Sequence, residues 1–174
     1  MSVRRGVMSD HARVAQISMS AGGVPKRAVP AARVTTLGLE GDVQRNRRLH
    51  GGSERALCLF SLERIRALQA QGHPISPGSI GENLTVEGLQ WSAVVPGAYL
   101  QLGGDVVVQI TGYTAPCSKI TGSFRDRDHA RVSQTRHPGS GRVYARVLRE
   151  GELASGDPAR LLSPDEAEAL AGTR

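Results

Sequence analysis

Aromatic side chains are nearly missing from this chain: one Trp, three Tyr and two Phe among 174 residues. The core must therefore be built from Val, Leu, Ile and Ala, and platforms for stacking nucleic-acid bases are scarce. Lysine is almost absent too, confined to Lys26 and Lys119. The two cysteines, Cys58 and Cys117, form no Cys-x-x-Cys and too small a set for a disulfide framework, which fits a reducing, cytoplasmic setting. No apolar run reaches the length that spans a membrane as a helix. No Gly-x-Gly-x-x-Gly fingerprint for a flavin or nicotinamide nucleotide is present. The arginines of residues 1–11 are not followed by an apolar stretch, so this segment reads as a disordered start and not as a secretory signal.

What the chain does have is glycine, 21 residues of it, with many short apolar runs, a composition of turns and strands. Its formal net charge of +6 is carried mainly by arginine, the side chain best shaped for bidentate contact with phosphate or carboxylate. A phosphorylated cofactor or a nucleic acid is a possible partner; the scarcity of aromatics, and the lack of any helix that concentrates the charge, argue against nucleic acid. A solvated basic face is the alternative.

Arg13 to Met19 alternates weakly and reads as a strand, and Gly22 to Lys26 as a loop. Ala32 to Leu37 reads as a second strand. From Gly38 to Gly52 the chain is polar, arginine-rich and without period, the pattern of a long functional loop. Arg55 to Leu62 is apolar on both faces, a doubly buried strand that places Cys58 in inert core. Ser61 then caps a helix from Leu62 to about Gln71, stopped by Gly72. Leu84 and Val86 face opposite to Asn83 and Thr85. Leu100 to Ile110 alternates throughout, with Gly103-Gly104 as a bulge or bend, and Val143 to Leu148 is a further strand. Ser163-Pro164-Asp165-Glu166 is a capping box for a C-terminal helix. These six or seven short strands predict a mainly β chain, a barrel or sandwich over residues 12–162, with a short helix and tail at 163–174.

Four segments concentrate chemistry-bearing residues: Asp42 to Gly52, Gly81-Glu82-Asn83-Leu84, Pro116-Cys117-Ser118-Lys119 and Gly141-Arg142-Val143-Tyr144. Cys117 follows the clearest strand, where Pro116 takes the chain out of the sheet. Lys119 lies two residues on, where a cation favours thiolate over thiol. A thiol so placed suits sulfur chemistry or metal ligation; the competing reading is a small apolar side chain packed under a loop. Two cysteines and five scattered histidines lack the close spacing of a structural zinc site.

In this order, GLEGDVQRNRRLHGGSERALCLF, GSIGENLTVEGL and APCSKI resemble the MOSC family, the domain found at the C-terminus of molybdenum cofactor sulfurases, and in particular its stand-alone bacterial YiiM-like members. GGVPK near the start is also similar to the family's opening, and the resemblance covers roughly residues 12–162. It implies a MOSC-like β-barrel and a cysteine, here Cys117, that ligates molybdenum in a pterin cofactor or carries sulfur. By motif position it assigns Asp42 with His50 and Gly51 to the Gly-Asp…His-Gly-Gly segment, and Glu82 with Asn83 to the Gly-Glu-Asn-Leu segment. One departure is Thr114, which stands where relatives often carry an arginine three residues before the cysteine, so that basic contact is missing or comes from another arginine.

On this resemblance, Cys117 is metal ligand and catalytic group and His50 passes protons. Arg45, Arg47 and Arg48 grip the pterin phosphate or form a solvated loop, and Lys119 steadies the anion. Asp42 orients His50 or closes an Asx turn. Glu82 and Asn83 line the pocket or fasten the loop. The implied activity is an oxidoreductase that removes the oxygen of N-hydroxylated small molecules, with electrons from a partner protein. The alternatives are a sulfur carrier holding a persulfide received from a donor protein, and a non-enzymatic anion- or nucleic-acid-binding module. Pyridoxal phosphate enters only by association, because the family's sulfurases carry it on a separate domain; none is expected bound here.

Overall fold

The structure is a computed structural model, and it describes residues 12–43 and 52–172. The expected disordered start, and the positions of Arg45, Arg47, Arg48, His50 and Gly51, lie outside the described residues.

The fold is mainly β, as its composition predicts. Strands β1 (Arg13–Met19), β2 (Arg27–Val29), β3 (Ala31–Thr35) and β4 (Gly38–Leu39) come first. β5 (Leu57–Ser61) runs into helix α1 (Leu62–Ala70), which leads to β6 (Leu84–Glu87). β7 (Tyr99–Leu102) and β8 (Val106–Tyr113) form a hairpin, followed by β9 (Val143–Arg149), β10 (Gly151–Ala154), β11 (Ala159–Leu162) and helix α2 (Pro164–Ala171). Eight strands make one sheet in the order β11-β7-β8-β9-β5-β6-β1-β2, and β10-β3-β4 make a second. The β5–β6 pair is parallel, and α1 provides the crossover that a parallel pair requires.

The large sheet curls back on itself. The end of β1 away from β2 meets the segment leading into β11: Val14 N donates to Asp157 O at 2.8 Å, Gly156 N to Val14 O at 2.7 Å and Ala159 N to Ala12 O at 2.9 Å. One antiparallel bridge, Arg13 with Pro158, marks the seam. The strands thus wrap a core without a continuous ladder all the way round. That core holds Val14, Ile17, Leu57, Leu59, Leu84, Leu100, Val108 and Val143. A second cluster under α1 joins Phe60, Ile65, Ile75, Ile80, Ile120 and Phe124. Full burial of each such side chain is worth about 1.5–3 kcal/mol.

Several expectations are refined by the structure. Gly103 has φ +63° and sits in a turn between β7 and β8, so the long alternating run is a hairpin and not one bent strand. Its period survives because the turn returns the chain with Leu102 opposite Val106. The second strand stops at Thr35, leaving Leu37 76% exposed at a turn. β2, β4, β10 and β11 were not legible as strands; all are four residues or shorter. β5 is buried at every position, as expected, because β6 and β9 flank it and both of its faces are covered. Ser61 Oγ accepts from Arg64 N to cap α1, and the Ser163–Glu166 capping box opens α2.

Candidate functional site

The exit of β8, the starts of β5 and β9 and the loops around Lys26 and Gly81 converge on one hollow of about 110 Å³. β8 and β9 are held together past the sheet's end, where Thr114 N donates to Arg142 O at 2.9 Å. Three residues on, Cys117 stands in extended backbone before a 3₁₀ turn over Ser118–Ser123, and Ile120 N donates to its carbonyl. Cys117 is half-buried and lines the hollow. So does Lys119, which is exposed.

Among the described residues, four cations line the hollow, Lys26, Arg55, Lys119 and Arg142, against apolar walls that include Val24, Val43, Ile80 and Ile120. The guanidinium of Arg55 lies over the Tyr144 ring, 5.3 Å from its centre, a cation–π contact. Arg142 is 5% exposed; its Nη1 donates to Ile80 O at 2.6 Å, while Nε has no hydrogen-bond partner.

Asp42 and Asn83 work as fasteners. The Asp42 carboxylate accepts from Ser20 N at 2.9 Å, from Asn83 Nδ2 at 2.9 Å and from Lys26 Nζ at 2.5 Å. The Asp42–Lys26 side chains are 4% and 9% exposed, so this is a buried, well-bonded ion pair. Asn83 Oδ1 accepts from Cys58 N at 3.1 Å, and its own N–H donates to Cys58 O at 2.8 Å. One side chain thereby ties β1, β5 and the Asp42 loop together, and Asn83 also lines the hollow.

Glu82 is fully buried, and neither carboxylate oxygen makes a well-formed hydrogen bond, although the N–H groups of Gly78 and of Glu82 itself approach it. Burial drives its carboxyl up to about 7, against the pull of Arg142. Cys58 is not remote core: it is buried, yet it forms part of the hollow's wall, with Sγ 3.6 Å from Thr114 Oγ1. Burial raises its thiol pKa, opposed chiefly by Arg142, and so keeps the sulfur protonated. Burial likewise raises Tyr144. Of the two thiols, Cys117 is the more exposed.

The structure thus brings Cys117, Lys119, Asn83 and the Asp42–Lys26 pair to one place, with Glu82 beneath. Sequence reasoning did not assign site roles to Lys26, Arg55, Arg142 or Tyr144. The Gly-Arg-Val-Tyr segment was the available signal for the last two, but only the β8–β9 pairing shows that it faces Cys117's strand. Among the described residues no group of three His, Cys, Asp or Glu is placed to hold a metal ion. No helix among them is long and apolar enough to cross a membrane.

A curled β-sheet with a half-buried thiol and a cation-lined hollow at one end defines a β protein with a thiol-bearing, cation-lined hollow. The chain belongs to the MOSC family: residues 46–160 match the family described as MOSC domain. It is 34% identical over 147 residues to the uncharacterized protein YflK of Bacillus subtilis, covering 83% of this chain and 65% of YflK. It is 32% identical over 134 residues to YiiM of Escherichia coli, covering 75% of this chain and 58% of YiiM. A fungal protein named reductase, from Gibberella moniliformis, is 30% identical over 118 residues, 65% of this chain and 20% of that protein. The chain therefore spans less than two thirds of the length of these relatives. In structure it is similar to YiiM from Geobacillus stearothermophilus, with TM-score 0.69 and 24% identity over 87% of this chain and 75% of that one, a likeness of fold.

Proposed function

We propose that the hollow holds the molybdenum–pterin cofactor with Cys117 as sulfur ligand to the metal, and that the protein reduces N-hydroxylated small molecules there. The observation that carries the reading is the half-buried Cys117 thiol on a hollow with four lining cations. The donor set fits the group: a thiolate is a soft ligand suited to such a metal, and guanidinium and ammonium groups suit its phosphate and oxygen atoms. When bound, the cofactor supplies two electrons to cleave the N–O bond, which with two protons gives the amine and water. The electrons come from a partner protein. The family's association with this cofactor and the fungal relative's name, reductase, support the reading.

The chain's own residues bind, orient and shield. Lys119 and Arg55 meet the ligand's negative charge at the rim, and Arg142 meets it at the floor. Asp42 holds Lys26 in place, and Asn83 fixes the backbone of Cys58. Apolar walls exclude water, which strengthens each charge contact. On the motif resemblance, Arg45, Arg47 and Arg48 contact the phosphate, and His50 moves a proton. The cytoplasm is the compartment that suits free thiols.

The test is elemental and pterin analysis of protein made in a cofactor-producing host, with and without molybdate. Molybdenum and pterin should copurify with the wild type, and Cys117→Ala should lose the metal at least tenfold. Full metal retention in Cys117→Ala removes the ligand role. A reductant-reversible gain of one sulfur on Cys117, with no metal, establishes sulfur carriage instead.

A further inference from the structure

We infer that Arg142 and Glu82 form a proton-linked oxyanion site at the floor of the hollow: an oxyanion held by Arg142 is accompanied by uptake of a proton at Glu82. This rests on the reading that the hollow takes an anionic ligand. It concerns two residues of this chain, whatever the ligand's remaining parts.

The geometry is as follows. Arg142 is 5% exposed and lines the hollow; its Nη1 is taken by Ile80 O, and no carboxylate among the described residues lies within ion-pair distance of it, so its charge is open to an anion in the hollow. Glu82 stands between Gly81 and Asn83, which both line the hollow, and is fully buried with both oxygens short of full hydrogen bonds. Arg142 exerts the largest opposing charge on Glu82.

The other groups around Glu82 are accounted for. Lys26 acts on it from the loop after β1 but is neutralised by Asp42. Cys58 faces it from β5 and is held neutral by burial. Tyr144, beside Arg142 on β9, is pushed further from ionisation. Arg55 and Lys119 carry their charges at the rim. With Glu82 ionised, the floor pair sums to zero and an incoming anion meets a carboxylate behind its arginine. With Glu82 protonated, the floor carries one positive charge. Anion and carboxylate repel in a low-dielectric site, so binding one favours protonating the other. Burial already places Glu82's titration near neutrality, where small changes in charge shift it.

Sulfate is the probe, since its charge is constant from pH 5.5 to 8.5. Calorimetric titration in two buffers of different ionisation enthalpy counts the protons exchanged. Wild type should bind sulfate about tenfold tighter at pH 6 than at pH 8, with net proton uptake near pH 7. Glu82→Gln should keep binding but lose the pH slope, and Arg142→Gln should lose binding at every pH. Arg142→Lys, with melting curves for all variants, separates lost binding from lost folding. No sulfate binding, no proton uptake by wild type, or a slope that survives Glu82→Gln overturns the proposal.

Repeating the titration on molybdenum-loaded protein assigns the source. Sulfate binding that persists points to a substrate oxyanion; binding confined to cofactor-free protein points to the cofactor's own. Proton-linked sulfate binding in a protein that never acquires molybdenum overturns only the cofactor reading. Metal loading without proton-linked anion binding overturns only this one.

Discussion

Asp42 shows how a motif residue shapes this site from outside the lining of the hollow. Its carboxylate receives a backbone N–H, an amide and an ammonium from three separate segments. Removing one member of a buried ion pair leaves the other charged and unpaired, at about 3–5 kcal/mol. Asp42→Ala should lower stability by that amount, read as a lower urea midpoint at unchanged slope. Asn83 has the same character, bonded to Cys58 on both edges. Glu82 differs, since its neighbours do not satisfy it.

Among the elements, the turn before β6 is a tight join near the site. Gly78 has φ +84°, and a Cβ there would lie 2.5 Å from Lys26 O and 2.9 Å from Ser18 Oγ. Its carbonyl accepts from Lys26 N at 2.9 Å, so the close approach also places the Lys26 backbone. Gly78→Ala adds both left-handed strain and a steric clash, and should cost about 2–4 kcal/mol in chemical denaturation. Gly52 at φ +90° has open space around its missing Cβ, so only the backbone strain applies there.

For the whole molecule, Glu82 ties stability to pH. Burial raises its carboxyl from an ordinary 4.5 to about 7. Between those values the folded chain holds a proton that the unfolded chain has released, so stability falls as pH rises from about 4.5 to about 7, then levels. The penalty above that window is on the order of 3 kcal/mol. Glu82→Gln should therefore be more stable than wild type at pH 8 and little changed at pH 4.5, as urea melts at the two pH values would show. Wild-type stability that is flat across this window would contradict the buried, poorly bonded carboxyl.

The chain's own residues determined much of this protein. Arg13–Met19 alternates and is β1 at its stated bounds, and the Ser61 cap and the Ser163–Glu166 capping box announced where the helices begin. The spacing of the Gly-Asp, Gly-Glu-Asn-Leu and Pro-Cys-x-Lys motifs pointed to the family, because those signals are local and each residue carries its own preference. Tertiary structure alone decided the rest. β2, β4, β10 and β11 are too short to show a period and exist as strands because a neighbour supplies their hydrogen bonds. Arg142 lies 25 positions beyond Cys117 and reaches the hollow through the pairing of β8 with β9. Which charge faces which thiol depends on strand order and burial, and those are properties of the packed chain.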